Sequence, residues 1–269
     1  MQKTLQGFIA LLSLSTLTVY ADNKTDVVWN YTGTTGPSYW GQLDKQFATC
    51  ATGKTQSPIN IVQPYRPAPF SLELKYQIAP MIIVNDGETA LMINRDKTIV
   101  RDHAVQLNFT DIMHETILFN GKAFHLREFH FHTPAETAFN GLIQPMEIHF
   151  VHQSEDNQVA VLAVFVKTGA ANPALQDIIA HIPADKGVAH EIDNGTVNPM
   201  KLMPNMKNYY YYAGSLTTPP CTEGLHWLVI PDSITASAEQ IDAFKKAVGG
   251  NNARPLQPAN QRTIYHAEG

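Results

Sequence analysis

The segment EFHFHTPAE, residues 128–136, constrains the fold and the chemistry of this chain more than any other stretch. His130 and His132 alternate there with aromatic residues in a strand-like run. Because residues i and i+2 of a strand point to the same face, the two imidazoles share one face, and Phe129 and Phe131 pack into a core behind them. Protonated rings would repel each other and neutral rings need polar partners, so a shared metal ion is a natural reason for the pair.

A second strand-like segment, MEIHFVHQ at 146–153, supplies a third imidazole. His149 alternates with apolar residues in this segment, and Glu147 lies two residues earlier on the same face. If the two segments pair in antiparallel fashion, the three histidines meet. Three neutral histidines with one open position are the ligand set of a catalytic zinc site. The sequence therefore predicts a metal site formed by His130, His132 and His149.

Two other interpretations of these histidines remain to be weighed. They could be core histidines satisfied by hydrogen bonds, although an H-x-H pair with a third histidine on a neighbouring strand argues against it. His130, His132 and Glu136 also match the first half of a cupin motif, in which the glutamate would bind iron or manganese. The glycine spacing is wrong for that motif, and no second cupin motif follows. The three-histidine zinc site is the favoured interpretation.

Strand-like segments dominate the middle of the chain, and helical patterns are sparse. The strand-like segments are short, β-branched or alternating, and are separated by turn signals. Two helices are predicted, at 172–182 with Pro173 near the start, and at 237–248 with Ser237 and Gln240 as a capping box. The pattern predicts one mainly β (α+β) domain on a large, mostly antiparallel sheet with a few peripheral helices. The predicted strands are 81–85, 89–94, 104–109, 124–132, 146–153, 159–166 and 225–230.

Charge and the amino terminus limit the partners and the location. The net charge is −5 and no basic stripe is visible, which argues against nucleic acid as a partner. Residues 1–21 show a short basic start, an apolar core and a small-residue exit at Ala21, which predicts a cleaved secretory signal peptide before a domain at 22–269. An uncleaved membrane anchor is the alternative, and no later segment is long enough to span a membrane. In an oxidising compartment, Cys50 and Cys221 are expected to form a disulfide.

Several motifs in order give the chain a specific family resemblance. They are GPSYW at 36–40, QSPINI at 56–61, FHFHTPAE at 129–136, MEIHFVH at 146–152, GSLTTPPCTEG at 214–224 and NARPLQP at 252–258. The ordered set resembles the α-class carbonic anhydrases over nearly all of the mature chain. The resemblance implies one domain on a twisted sheet of about ten strands. It also implies a Zn²⁺ cofactor and the reversible hydration of carbon dioxide to bicarbonate and a proton, by attack of zinc-bound hydroxide.

The resemblance implies a role for each matched position around the metal. His130 and His132 match the two zinc ligands of one strand, and His149 matches the third. Thr217 matches a gatekeeper that accepts a hydrogen bond from zinc-bound hydroxide, and Glu136 matches the acid that accepts the threonine proton. A hydroxyl that donates to a carboxylate can only accept from the hydroxide, so it orients the nucleophile.

Other matched positions orient the ligands or contact the substrate. Glu147 matches the carboxylate that orients His149, and Glu128 stands at the position of a partner of the first ligand. Thr218 matches a polar neighbour of the substrate, and Tyr31 matches a tyrosine near the gatekeeper. The apolar wall that holds carbon dioxide is matched by Val151, Val161, Leu216 and Trp227.

Three positions depart from the family pattern. Glu88 stands where many members have a proton-shuttle histidine, so it is a candidate for a weak shuttle. Thr137 replaces a histidine that commonly follows the gate acid, and Glu128 replaces a glutamine. Because the ligands and the gate remain, activity is expected, and these changes concern proton transfer and tuning.

The resemblance also sets expectations for location, assembly and side reactions. It implies an exported protein, periplasmic or secreted, and exported bacterial members are often homodimers. The same nucleophile would give a weak esterase side activity on small activated esters. A catalytically inactive binding module is the alternative of another class. Such relatives usually lose a zinc ligand, whereas this chain keeps all three.

Overall fold

The structure is a computed structural model and describes residues 27–85, 105–108 and 115–268. The predicted signal peptide, Glu88 and the predicted strand at 89–94 lie outside these residues. The described strands are β1 (Asn60–Ile61), β2 (Tyr65–Pro67), β3 (Leu72–Lys75), β4 (Ala79–Asn85), β5 (Val105–Asn108), β6 (Thr116–Phe119), β7 (Lys122–His132), β8 (Ala138–Phe139), β9 (Leu142–Ile143), β10 (Met146–Gln153), β11 (Val159–Thr168), β12 (Ala189–Val197), β13 (Asn208–Ser215), β14 (Glu223–Ala236) and β15 (Ile264–Glu268). The described α-helices are α1 (Trp40–Leu43), α2 (Thr49–Thr52), α3 (Pro173–Ile179) and α4 (Ala238–Ala247), and short 3₁₀ helices cover Gly33–Thr35, Lys45–Phe47 and Pro199–Leu202.

One large sheet contains 12 of these strands and carries the fold. Its strand order is β12-β4-β5-β7-β10-β11-β14-β13-β15-β2, with β6 and β3 added beside β7. The described pairings in this sheet are antiparallel, except that β11 pairs parallel with β14 and β15 pairs parallel with β2. The predicted fold class is confirmed, and the sheet is mixed and somewhat larger than the resemblance implied. A small second sheet joins β1, β8 and β9.

The two faces of the large sheet bury different apolar clusters. Phe129, Phe150 and Leu162 belong to the larger cluster, on one face. Val161 and Trp227, from β11 and β14, belong to a second cluster. These strands alternate between the clusters because successive side chains of a strand point to opposite faces. The sequences of these strands are therefore apolar at successive positions, as expected for strands that are buried on both faces of a sheet.

The two predicted helices form, with ends set by local chemistry. α4 begins after Ser237, whose hydroxyl accepts from the backbone N–H of Gln240 in a complete capping box. It ends before Gly249, whose φ of 80° is in the left-handed region that glycine adopts readily. α3 begins with Pro173 and ends at Ile179, three residues before the predicted end. Pro183 follows, and it disfavours the helical conformation at Ile182, the residue directly before it, so the helix cannot reach the predicted end.

The amino-terminal segment is joined to the sheet by a disulfide. Cys50 in α2 and Cys221 in the 216–222 loop between β13 and β14 are bonded, across a sequence separation of 171 residues. Cys221 is buried in a cluster with Trp29 and Trp40. The predicted pairing is confirmed, and the bond anchors the loop that carries the predicted gatekeeper.

Candidate metal centre

The three predicted ligand histidines meet on one face of the sheet, which we call the histidine face. His130 and His132 lie two residues apart on β7, and His149 lies directly opposite His130 on β10. One ring nitrogen from each histidine lies within 4.8 Å of the others, and all three residues are buried. The antiparallel pairing on which the prediction depended is confirmed.

Hydrogen bonds to the other ring nitrogens orient two of these imidazoles. Nδ1 of His130 lies 2.9 Å from both carboxylate oxygens of Glu128. Nδ1 of His132 donates to the backbone carbonyl of Asn252 at 2.7 Å. A ring nitrogen that donates a hydrogen bond cannot bind a metal, so these contacts assign Nε2 as the ligand atom of both residues.

The third histidine is held through its opposite nitrogen. Nε2 of His149 lies 3.1 Å from a carboxylate oxygen of Glu147, which assigns Nδ1 as its ligand atom. The other Glu147 oxygen accepts the backbone N–H groups of Glu136 and Thr137 at 2.8 and 2.7 Å. Burial by itself would raise the pKa of Glu147, but His149 and the Thr137 N–H hold that pKa below its usual value. Glu147 therefore stays an acceptor for the His149 ring.

Glu136 lies beside the three histidines and is almost fully buried. One carboxylate oxygen accepts the backbone N–H of Arg254 at 2.7 Å. The other lies 3.6 Å from Nε2 of His132 and 4.0 Å from Nδ1 of His149, which are the assigned ligand atoms. The structure thus brings the predicted gate acid to the ligand side of the rings.

The predicted gatekeeper lies in the 216–222 loop. Thr217 and Thr218 are both buried. The loop is closed by the N–H of Leu216 donating to the carbonyl of Thr222 at 2.9 Å, and by the N–H of Cys221 donating to the carbonyl of Thr218 at 2.7 Å. The disulfide fixes the same end of the loop. The hydrogen bond between Thr217 and Glu136 stays a prediction.

The predicted apolar wall follows from the sheet register. One row of residues crosses the sheet, each directly opposite the next: Glu128 on β7, Val151 on β10, Val161 on β11 and Trp227 on β14. His130 and His149 occupy the neighbouring row, two positions along the strands. The ring centres of His149 and Trp227 are 4.9 Å apart. The predicted wall residues thus lie beside the histidines, and Leu216 packs against the same cluster from the loop.

Two residues at the centre were missed by the sequence interpretation. The Asn252 carbonyl orients His132, and its side chain bonds to the backbone of Thr133 and Phe131. The Arg254 guanidinium donates to the carbonyls of Ser57 and Cys50. Both residues lie in the NARPLQP motif, whose match to the family draws attention to them, but the motif alone indicates no role for either residue.

Other predicted positions are placed as follows. Tyr31 packs against Trp29 and Trp40, in the cluster that also contains Cys221, and so lies near the loop of the gatekeeper. Glu88, the candidate shuttle, lies outside the described residues. Among the described helices, none is long and apolar enough to cross a membrane.

The fold and the site define a β-sheet protein with a buried three-histidine centre that could hold a metal ion. A family model described as eukaryotic-type carbonic anhydrase matches residues 35–268. A carbonic anhydrase of Pectobacterium atrosepticum is 38% identical over 246 residues, covering 91% of this chain and 93% of that protein.

Solved structures agree with the sequence comparisons. The α-carbonic anhydrase of Photobacterium profundum is 39% identical, with a TM-score of 0.75 over 88% of this chain and 99% of that one. The enzyme of Thermovibrio ammonificans, solved with sulfanilamide, is 35% identical, with a TM-score of 0.77 over 89% and 99%. The chain belongs to the α-carbonic anhydrase family and is an enzyme of this lyase class. The family reaction is the reversible hydration of carbon dioxide, and the cupin interpretation is wrong.

Proposed function

We propose that this chain holds a zinc ion at His130, His132 and His149 and uses it to convert carbon dioxide reversibly to bicarbonate and a proton. The observation that carries the proposal is the buried set of three imidazoles with assigned ligand atoms. Neutral imidazole nitrogens suit zinc, and three protein ligands leave one position open for chemistry. The donor set therefore fits the metal that the family resemblance implies.

The ligand partners prepare the site for this metal. When bound by three neutral ligands, zinc acts as a Lewis acid and brings the pKa of a water molecule from about 15.7 to about 7. Glu128, Glu147 and the Asn252 carbonyl fix the tautomers and orientations of the rings. These contacts support a rigid site, because each ring has a protein partner at the nitrogen that does not bind the metal.

The gate residues orient the nucleophile. The Thr217 hydroxyl donates its proton to Glu136 and accepts a hydrogen bond from the attacking oxygen, so a lone pair of that oxygen is directed at the substrate. The buried position of both residues and the nearness of Glu136 to the ligand atoms support this role. Thr218 is the polar neighbour of the substrate.

The apolar row beside the histidines holds carbon dioxide. The substrate is small and carries no net charge, so an apolar surface binds it without competing hydrogen bonds. Val151, Val161 and Trp227 lie in register beside the histidine row, and Leu216 extends this surface from the loop. The same nucleophile would give weak esterase activity on small activated esters.

Proton release concerns a matched position at which the usual histidine is replaced. Glu88 takes the position of the shuttle histidine and is proposed as a weak shuttle.

The disulfide and the bacterial relatives support export to the periplasm or the medium after removal of residues 1–21. A homodimer remains a proposal that light scattering would test.

Zinc content and carbon dioxide hydration, measured on the same purified samples, test the proposal. The wild-type chain should bind one zinc ion and hydrate carbon dioxide in stopped-flow assays. His149→Ala should weaken zinc binding by orders of magnitude and abolish hydration, since one of three ligands is lost. His181→Ala, at an exposed histidine, is the control and should match the wild type. Full hydration without zinc would show that the proposal is wrong, and zinc binding without hydration would favour a binding module.

A further inference from the structure

Arg127 lies at an irregularity in the pairing of β7 with β10. Val151 lies opposite Glu128 and His152 lies opposite Leu126, so Arg127 is an extra residue, a β-bulge. The β7 residues that join the larger apolar cluster are Phe124, Leu126, Phe129 and Phe131. Their spacing changes from two residues to three across the bulge. Arg127 and Glu128 therefore both face away from that cluster, on the histidine face.

The guanidinium of Arg127 is shielded from solvent on two of its nitrogens. The residue is half-buried, and its Nε and Nη1 atoms have no hydrogen-bond acceptor in the described part of the chain. Arginine keeps its charge in proteins and cannot become neutral to reduce the cost of burial. Burying a donor without an acceptor is unfavourable, and it is more unfavourable for a charged group. An anion is the class of ligand that would satisfy these donors.

The position of Arg127 relates this anion to the reaction. Arg127 lies next to Glu128 in β7. Glu128 is the β7 member of the row that continues through Val151, Val161 and Trp227. Val151, Val161 and Trp227 offer carbon dioxide an apolar surface, but their apolar side-chain surfaces offer bicarbonate no charge-assisted hydrogen bond. Bicarbonate is a planar oxyanion with one negative charge, and a guanidinium is complementary in shape and charge to such groups.

We propose that Arg127 forms an anion subsite for bicarbonate at the β7 end of the apolar row, beside Val151. The identity of the anion rests on the proposed function, whereas the subsite itself rests on the bulge and the buried guanidinium. Bicarbonate that has left the histidine centre is held by charge-assisted hydrogen bonds from Arg127. In the reverse reaction the same contact concentrates bicarbonate next to the centre.

Bicarbonate titrations into the zinc-loaded chain, followed by calorimetry, test the subsite. Arg127→Gln should raise the Kd of bicarbonate at least tenfold, and Arg127→Lys should raise it less because the charge is kept. Arg66→Gln removes an exposed arginine on β2 and should leave the Kd unchanged. An Arg127→Gln protein that binds bicarbonate as tightly as the wild type would overturn the subsite, even if its stability were lower.

A second measurement needs only the wild-type chain and separates the subsite from the proposed function. The Nε–H resonance of Arg127 should shift in NMR spectra as bicarbonate is added and should saturate. If the chain holds zinc and hydrates carbon dioxide but this resonance does not move, the subsite is wrong and the proposed function stands. If the resonance moves in a chain that does not hydrate carbon dioxide, the subsite stands and the proposed function is wrong.

Discussion

His149 lies directly opposite His130 in the antiparallel pairing of β10 with β7, and the two imidazole ring centres are 5.3 Å apart. His132 completes the set, with its ring centre 4.9 Å from that of His130 and 4.6 Å from that of His149. Strand register therefore sets the ligand geometry. A one-residue slip of β10 would move His149 to the opposite face and destroy the centre.

Glu128 is expected to strengthen metal binding beyond what the usual glutamine would achieve. Its carboxylate accepts from Nδ1 of His130, and an anionic acceptor makes the ring a more basic ligand. Glu128→Ala should therefore weaken zinc binding about 10–100-fold. Glu128→Gln, which keeps an acceptor of the same shape, should weaken it less. Competition with a chelator of known affinity measures the change. Equal zinc affinity in all three proteins would contradict the role.

The hydroxyl of Thr217 is expected to act on the rate and not on the metal. Thr217→Ala should keep zinc but lower kcat/KM about 10²-fold, which is the scale of losing one preorganised hydrogen bond at a reacting oxygen. Thr217→Ser keeps the hydroxyl and is the matched control, with kcat/KM much closer to that of the wild type. Stopped-flow hydration with zinc analysis gives both quantities, and a wild-type rate in the alanine variant would exclude the role.

Much of the fold and of the centre could be predicted because the alternation of side chains along a strand depends only on residues that are neighbours in the sequence. The H-x-H pair and the spacing of Glu147 and His149 fixed which side chains share a face, and the structure confirms the placement of all four. The capping box at Ser237 is likewise a local signal, and it forms as predicted.

The remaining features depend on contacts between distant parts of the chain. The acceptor for His132 is a backbone carbonyl, at Asn252, and every residue type has one, so no side chain marks it. The bulge at Arg127 is set by the pairing of two strands, which alternation in one strand does not show. The strand order, in which β11 lies parallel to β14, also depends on pairing between distant segments and is not shown by alternation within either strand.

Glu88 is expected to make proton transfer limit turnover. A glutamate has an ordinary pKa of about 4.3 and a histidine about 6.5. Accepting a proton from a group with a pKa near 7 therefore costs a glutamate roughly 3–4 kcal/mol. Glu88→His should raise kcat in dilute buffer and leave kcat/KM unchanged, and imidazole buffer should raise kcat of the wild type. A wild-type kcat that does not depend on buffer concentration would show that another group carries the proton.

The disulfide between Cys50 and Cys221 should contribute several kcal/mol to stability. A loop closed over 171 residues lowers the entropy of the unfolded chain by an amount equivalent to about 5 kcal/mol, as an upper figure. The double variant Cys50→Ser, Cys221→Ser should therefore unfold at lower urea concentration and still bind zinc, because the ligands lie on β7 and β10. Hydrogen exchange at Thr217 and Thr218 should increase, since the bond anchors their loop. Unchanged urea midpoints would contradict the prediction.

His152 should make the fold less stable in mild acid. It is fully buried on the face opposite His149, where Nε2 lies 2.7 Å from the Tyr76 hydroxyl and Nδ1 lies 3.2 Å from the Ala160 carbonyl. Burial lowers its pKa from 6.5 to about 3, and the charge of His125 adds to this effect. Between these two pH values the unfolded chain binds a proton at His152 that the folded chain does not. The free energy of unfolding therefore falls as the pH drops from 6.5 toward 3, by up to about 1.4 kcal/mol per pH unit from this group.

Urea unfolding of the wild type and two variants, at several pH values between 7 and 4, isolates this contribution. His152→Gln has no titrating group at this position, so its free energy of unfolding should depend less on pH, although its stability at pH 7 should be lower. His181→Gln changes an exposed histidine and should keep the slope of the wild type. The ligand histidines are present in all three proteins, so their contributions cancel in the comparison. Equal slopes for His152→Gln and the wild type would show that His152 is not the buried neutral group described.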